Sequence, residues 1–393
     1  MKLFRALSTT RLVLLIAALA VLVAGSAALA VAASGGGGPT PPAKPLADAI
    51  HDALAGTAPD GMTADITFTN KLFPSGALTG AAGSALMSGA TGRLWATNDG
   101  RGRLELQSSA GDVQILWNAN NVTVFDASSN TVYKFTLPKQ TTAASGSADT
   151  GAPPALSEIT TFLTDLSNQA AVSDAQPDNV GDQPAYTATV SPKHDGGLLG
   201  SLQLAFDAAR GVPLRIAIYA QGSSTPALAL EATHVTYGAV PSPTVDVTPP
   251  AGAKIVDLSA PASGKDQGGG ADTTKQVSGL DAVQAAVDFP VAAPATLVGL
   301  PRQQVGLAGK NAVLVVYGQG LGALLVVEHK ADSAKPTGMI AGLPAISLSG
   351  GVTAHELATQ LGTVLEWQQG GRSVVLAGSL PPAAAESAAR ELK

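Results

Sequence analysis

The chain contains no cysteine, which excludes disulfides, thiolate metal sites, cysteine nucleophiles and a lipidated N-terminal cysteine together. Charged residues are scarce at 13%, and only 23 are basic against 29 acidic. Without Lys2, Arg5 and Arg11 the basic count falls to 20, a balance of −9. With no basic cluster, the chain lacks the electrostatic footprint of a nucleic-acid binder. The five histidines (His51, His194, His234, His329, His355) show no metal-ligand spacing. No G-x-S-x-G elbow and no phosphate-binding G-x-x-x-x-G-K-[ST] loop occurs. Gly318-Gln319-Gly320-Leu321-Gly322 ends on Ala323 where a dinucleotide fingerprint needs glycine, and reads as a hairpin turn. His355-Glu356 lacks the second histidine of a zinc helix, since Thr359 stands there; Thr353 and Glu356 read as a capping box opening a helix with Leu357 and Leu361 inside. Glu328-His329 reads as a solvated strand end. The expectation is a protein that is not an enzyme and holds neither metal nor cofactor.

What is present is a repeat. Between Gly92 and Pro138 a short alternating run and a polar turn recur: GRLWATNDG, RGRLELQSSAG, DVQILWNAN, NVTVFDASSN, TVYKFTLP. Leu94 and Ala96 alternate with Arg93, Trp95 and Thr97; Leu104 and Leu106 with Arg103, Glu105 and Gln107; Val113, Ile115 and Trp117 with Gln114. Asn98-Asp99-Gly100 supplies the positive-φ positions of a tight hairpin. Such spacing predicts an antiparallel meander with one buried face.

The N-terminus carries the address. Met1–Arg11 has three positive charges and no acid, and Leu12–Ala33 has no charge at all. Ala28-Leu29-Ala30 and Ala30-Val31-Ala32 are small-x-small cleavage sites, whereas the length suits a bilayer core, which needs about 20 apolar residues. Residues 1–33 therefore read as a signal peptide or a retained membrane anchor. Either way the bulk is exported, to the outer face of the cytoplasmic membrane or, if cut, beyond it.

At 393 residues and 45% apolar content the chain can bury two cores. A Gly/Pro linker spans 34–45, a domain 46–258, a second linker 259–275, and a smaller domain 276–393. Leu46–Leu54 reads as a helix with Leu46, Ile50, Ala53 and Leu54 on one face, followed by a strand through Ala64, Ile66 and Phe68. Lys139–Pro153 is a polar loop, and Ile159, Phe162, Leu163 and Leu166 then form an amphipathic stripe. Strands are expected around Ala185–Val190, Leu198–Phe206, Leu214–Tyr219, Leu228–Tyr237 and Thr244–Val247, and a helix in the final PPAAAESAARELK with Glu386 and Arg390 paired.

The order helix, strand, meander ending in ILWNANNVTVFDASSNTVYKFTLP, helix, then LQLAFDAARGVPLRIAIYA and VDVTPPAGAKIV resembles the LolA-like superfamily, over about Pro45–Leu258. That group includes the lipoprotein carriers LolA and LolB and the N-terminal domain of RseB. The resemblance implies an α+β fold: an unclosed, curved antiparallel β-half-barrel with covering helices, followed here by a smaller α+β domain, as in RseB. It implies a cavity for acyl chains. The candidate lining is Ile66, Phe68, Leu94, Leu104, Leu106, Ile115, Trp117, Ile216 and Ile218, with Ile159, Phe162, Leu163 and Leu166 as the lid helix. Packing of these residues as ordinary core is the competing reading. In the carriers an early-strand arginine helps gate the lid; Arg93 is the nearest candidate, and its place reads as that of a solvated strand arginine. The function implied is binding of a lipid, lipoprotein or other hydrophobic ligand at the membrane. The alternative is an RseB-like envelope-stress sensor that contacts a membrane regulator.

Overall fold

The computed structural model describes residues 38–72, 85–136, 154–193, 197–257, 277–308, 312–331 and 343–392. The segment Leu12–Ala33, the loop Lys139–Pro153 and the linker Ser259–Lys275 lie outside them. Among the described residues no helix is long and apolar enough to cross a membrane.

After helix α1 (Leu46–Ala55) come β1 (Gly61–Asn70), a single-turn helix α2 (Ala85–Ser88), and the expected meander β2 (Ala90–Thr97), β3 (Gly102–Ser108), β4 (Gly111–Trp117), β5 (Asn121–Asp126) and β6 (Thr131–Thr136). Each consecutive pair from β2 to β6 is antiparallel. Gly100 turns the first hairpin at φ 87°, a conformation that penalises any side chain. Helix α3 (Leu156–Gln169) leads into β7 (Ala170–Val172), β8 (Gln176–Val180), β9 (Gln183–Pro192), β10 (Leu199–Asp207), β11 (Pro213–Ala220) and β12 (Pro226–Tyr237). Helix α4 (Ser242–Val245) and β13 (Lys254–Asp257) follow.

These strands form one sheet of 13, ordered β13-β6-β5-β4-β3-β2-β1-β12-β11-β10-β9-β7, with β8 on β9. Its ends do not pair with each other, so it is unclosed. Six steps separate β4 from β10, about 29 Å in a flat sheet at ~4.8 Å per strand. Along that span the apolar residues of one face, from Ile115 on β4 to Ala205 on β10, form one continuous cluster on the inner side of the curled sheet. The opposite face carries cross-strand charge pairs: Arg93 with Asp65 at 2.9 Å and Arg215 with Glu231 at 3.5 Å, each pair directly opposed in register.

A strand was expected at Thr244–Val247, and the structure has α4 there instead. Pro241 and Pro243 explain it: proline cannot donate to a ladder, and its fixed φ suits a first helical turn. Helix α1 buries Leu46, Ala49 and Ala53, with Ile50 half-buried, so its inward face is rotated from the expected one.

The second sheet has eight strands and its own core. Helix α5 (Leu280–Ala286) precedes β14 (Thr296–Leu297), β15 (Leu300–Ala308), β16 (Ala312–Tyr317), β17 (Leu324–Lys330), β18 (Ala345–Ser347), β19 (Thr353–Ala358), β20 (Thr363–Gln369), β21 (Arg372–Gly378) and the final helix α6 (Pro382–Glu391). Their order is β14-β15-β16-β17-β21-β20-β19-β18. The fold is thus α+β, an open antiparallel half-barrel followed by a smaller α+β unit, as the resemblance implied.

Two expectations fail here. The helix expected from Thr353 is strand β19, paired with β20 from Ala354↔Trp367 to Ala358↔Thr363; pairing overrides the local helix signals. Glu328 is no solvated end. It alternates in phase with Leu324 and Val326 and is 0% exposed, beside Arg372.

Candidate functional site

Alternation along β1 to β4 and β11 turns the nine candidate lining residues to one side of the curled sheet. All nine fall in one cluster: Ile66, Phe68, Leu94, Leu104, Leu106, Ile115, Trp117 and Ile216 are buried, and Ile218 is half-buried. Trp117 lies directly opposite Gly102, and a Cβ at Gly102 would run into the indole ring. The strand therefore needs glycine there so that the ring can lie flat on the backbone.

The four lid residues are not brought onto this lining. Helix α3 packs against α1 and β7. Ile159 is fully buried, but Leu163 packs into a separate cluster of Leu46, Ala49, Ala53, Ala175, Tyr186 and Phe206, and Phe162 and Leu166 are half-buried. The lining is covered by other pieces. Helix α2 sits over β1, β3 and β4, with Ala85 fully buried and Leu86 packed on the cluster. Leu72 and Leu361 pack there too. Sequence periodicity missed α2 because four residues complete one turn and no repeat.

On the opposite side of the sheet, a half-open cavity of about 500 Å³ lies between β4–β6 and the segment 245–255. Leu116, Val132 and Pro249 supply apolar wall, and Asn121, Thr123 and Lys134 polar wall. Arg101 ties this segment down, donating to Asp246 at 2.5 Å and to the Ser242 hydroxyl at 3.2 Å, while Arg103 donates to the Thr244 carbonyl at 3.1 Å. Arg101, with Thr97 second, holds the Asp99 carboxyl down to about 2. Ile255 on β13 stands 62% exposed at the cavity mouth.

Among the described residues no three histidine, aspartate or glutamate side chains converge as metal ligands. His234 meets Asp182 at 2.8 Å, and His355 meets the Leu343 carbonyl at 3.2 Å, in different sheets. The turn Gly320–Gly322 joins β16 to β17 as a hairpin connection.

No family model matches the chain, and no curated protein does. Among solved structures it is similar to MucB in complex with MucA(peri), at 15% identity over 88% of this chain and 96% of that one, with a TM-score of 0.41. The MucA/MucB complex of Pseudomonas aeruginosa is matched at 15% identity over 88% and 94%, TM-score 0.40. A LolA superfamily protein of Nitrosomonas europaea is matched at 8% identity over 85% and 91%, TM-score 0.19. The fold assignment itself stands on the strand order and the two cores.

Proposed function

We propose that this chain is an exported, membrane-associated binding protein whose half-barrel shelters the apolar part of a lipid, lipoprotein or similar ligand. The nine lining residues are its site. Residues 1–33 serve as signal or anchor, and the two sheets act as two domains divided at 259–275. The single observation in support is the nature of the cover. A contiguous apolar face spanning β1–β4 and β10–β12 is closed, among the described residues, by a one-turn helix and isolated side chains rather than by a packed long helix. Short covers open at small local cost, and each methylene then buried from a ligand contributes about 0.8 kcal/mol.

Native mass spectrometry with solvent extraction, on the full chain released from its host membrane, tests this. Acyl lipid at about one per chain, lost on Ile218→Asp at the half-buried end of the lining, is the expected result. A chain that is empty and stays empty when offered phospholipid would overturn it. A sensor acting through a protein partner is the second reading. Ile255, exposed on edge strand β13 beside the cavity between β4–β6 and the segment 245–255, is the observation that favours it. Recovery of a membrane regulator by an otherwise lipid-free chain would select that reading.

A further inference from the structure

The turn Thr359–Gly362 between β19 and β20 belongs to the smaller sheet, yet its Leu361 packs into the apolar cluster of the larger one. The turn is prebuilt. The Thr359 hydroxyl accepts the backbone N–H of Leu361 and of Gly362, each at 3.1 Å, and donates to the Gly362 carbonyl at 2.8 Å. Leu361 is therefore presented on a fixed loop rather than on a floppy one.

Its place on the half-barrel is marked by three bonds. Gln360 Nε2 donates to the Lys71 carbonyl at 2.8 Å, one residue past the end of β1. The Leu198 N–H donates to the Ser379 carbonyl at 3.0 Å, and the Leu199 N–H to the Ser379 hydroxyl at 2.6 Å, at the start of β10. The register puts these points at one end of the sheet, where Asn70, Leu228, Ile218 and Leu202 follow one another across β1, β12, β11 and β10. Ile218 and Leu202 are half-buried there, as are Leu204 and Leu230 further along the face, while Asn70 and Leu228 beside them are closed. The smaller sheet thus sits on the end of the face that holds Ile218 and Leu202.

We propose that Leu361 is a built-in stopper: a ligand's acyl chain enters the half-barrel at this end and displaces it, so that ligand capture and docking of the smaller sheet exclude each other. This rests on the hydrophobic-ligand reading above. The contact also includes the Gly320–Gly322 turn, which lies against β9 and the Gln169 carbonyl, so an entering chain displaces Leu361 and loosens that turn as well. Undocking would also free the Lys71, Leu198 and Leu199 groups, so occupancy of the site would be reported at the surface of the smaller sheet.

The chain has no cysteine, so a disulfide can lock the contact cleanly. A Cβ built on Gly197 lies 3.6 Å from the Ser379 Cβ, within the range of about 3.5–4.5 Å that a disulfide spans. Full-length Gly197→Cys/Ser379→Cys protein in its own membrane would be labelled with a photoactivatable palmitate, oxidised and then reduced, with adducts mapped on β10–β12. Locking should lower labelling about tenfold and reduction restore it, while Leu361→Ser should exceed wild type, as expected when only an undocked fraction is competent to bind. Equal labelling of the oxidised and reduced forms, with wild type labelled, would overturn the stopper and leave the binding function standing. No labelling in any form, Leu361→Ser included, would overturn both. Failure of the two thiols to join under oxidant would deny the docking itself.

Discussion

The buried pair Glu328 and Arg372 offers the sharpest test of the smaller sheet's energetics. Glu328 is 0% and Arg372 4% exposed, with Nε and Oε2 3.5 Å apart. Oε2 also accepts the Ala292 N–H at 3.0 Å, and Arg372 Nη1 donates to the Pro290 carbonyl at 3.4 Å. Glu328 Oε1 and Arg372 Nε and Nη2 have no hydrogen-bond partner among the described residues. At an effective dielectric of about 20, two charges at this distance attract by about 5 kcal/mol, while desolvation costs several kcal/mol for each ion. The pair therefore contributes about nothing net, although breaking it is expensive. Arg372→Met should cost about 3–5 kcal/mol at neutral pH, because a carboxylate is left buried and alone. Glu328→Met/Arg372→Met should be neutral, or more stable by about 1–4 kcal/mol. Burial pushes the Glu328 carboxyl above its usual 4.5, against the opposing pull of the Ala292 N–H and Arg372. An acid raised in this way contributes stability below 4.5 and loses it as pH rises, so the Arg372→Met penalty should shrink in acid. Urea unfolding of wild type, both single variants and the double variant, in acid and at neutral pH, measures this. A double variant as unstable as the sum of the singles would refute the argument, since it would mean that the two charges do not interact.

Gly102→Ala should destabilise the half-barrel by about 1–3 kcal/mol and change the Trp117 fluorescence, since the ring must leave the strand backbone; an unchanged melting curve would count against that packing. Tyr237 donates to Asp207 at 2.7 Å, and Asp207 is 1% exposed. Tyr237→Phe should then cost about 1.5–3 kcal/mol. Burial first and Asp207 second raise the Tyr237 phenol above 10, so wild type should lose stability more steeply than Tyr237→Phe as pH climbs beyond 10, the variant keeping only the contributions of Tyr219 and Tyr317.

The meander was legible because two independent signals coincide in it: alternation, and turn residues such as Gly100 that tolerate positive φ. Where signals disagreed, the reading failed. Leu357 and Leu361 are four apart and follow a capping-box pair, which is a fair helix pattern, yet residues 354–358 pair with β20 and Leu361 faces the other sheet. No local pattern encodes a contact with residues almost 300 positions earlier in the chain. Glu328 was misjudged for a different reason, because its polarity was weighed above its phase. LLVVEHK alternates, and that phase places Glu328 with Leu324 and Val326 on the buried face. That the nine candidate residues share one buried face was legible for the same reason that the meander was. The lid was not: an amphipathic stripe shows that α3 packs on something, and only the fold shows that the something is α1 and the β7 end.

The distribution of helices over the half-barrel carries a consequence for how it opens. The two helices of ten residues or more in the first unit, α1 and α3, pack on each other and on the cluster around Tyr186 and Phe206. To move either would break a core of its own. The face holding Ile66, Leu106 and Ile115 is covered instead by α2, Leu72 and Leu361, which share no hydrophobic core apart from that face. Asn70 ties two of them together, its Nδ2 donating to the Leu86 carbonyl at 3.1 Å and its Oδ1 accepting the Leu72 N–H at 3.0 Å, whereas Leu361 comes from outside that linkage. If the half-barrel takes a ligand as proposed, its opening would be a local event with a free energy below that of global unfolding. Leu361 differs from the rest in being presented by a separate sheet on hydrogen bonds that do not belong to the half-barrel's own ladder. Under the stopper proposal, a cover built this way would yield first at the join between the two sheets, and an entering chain would be felt by both.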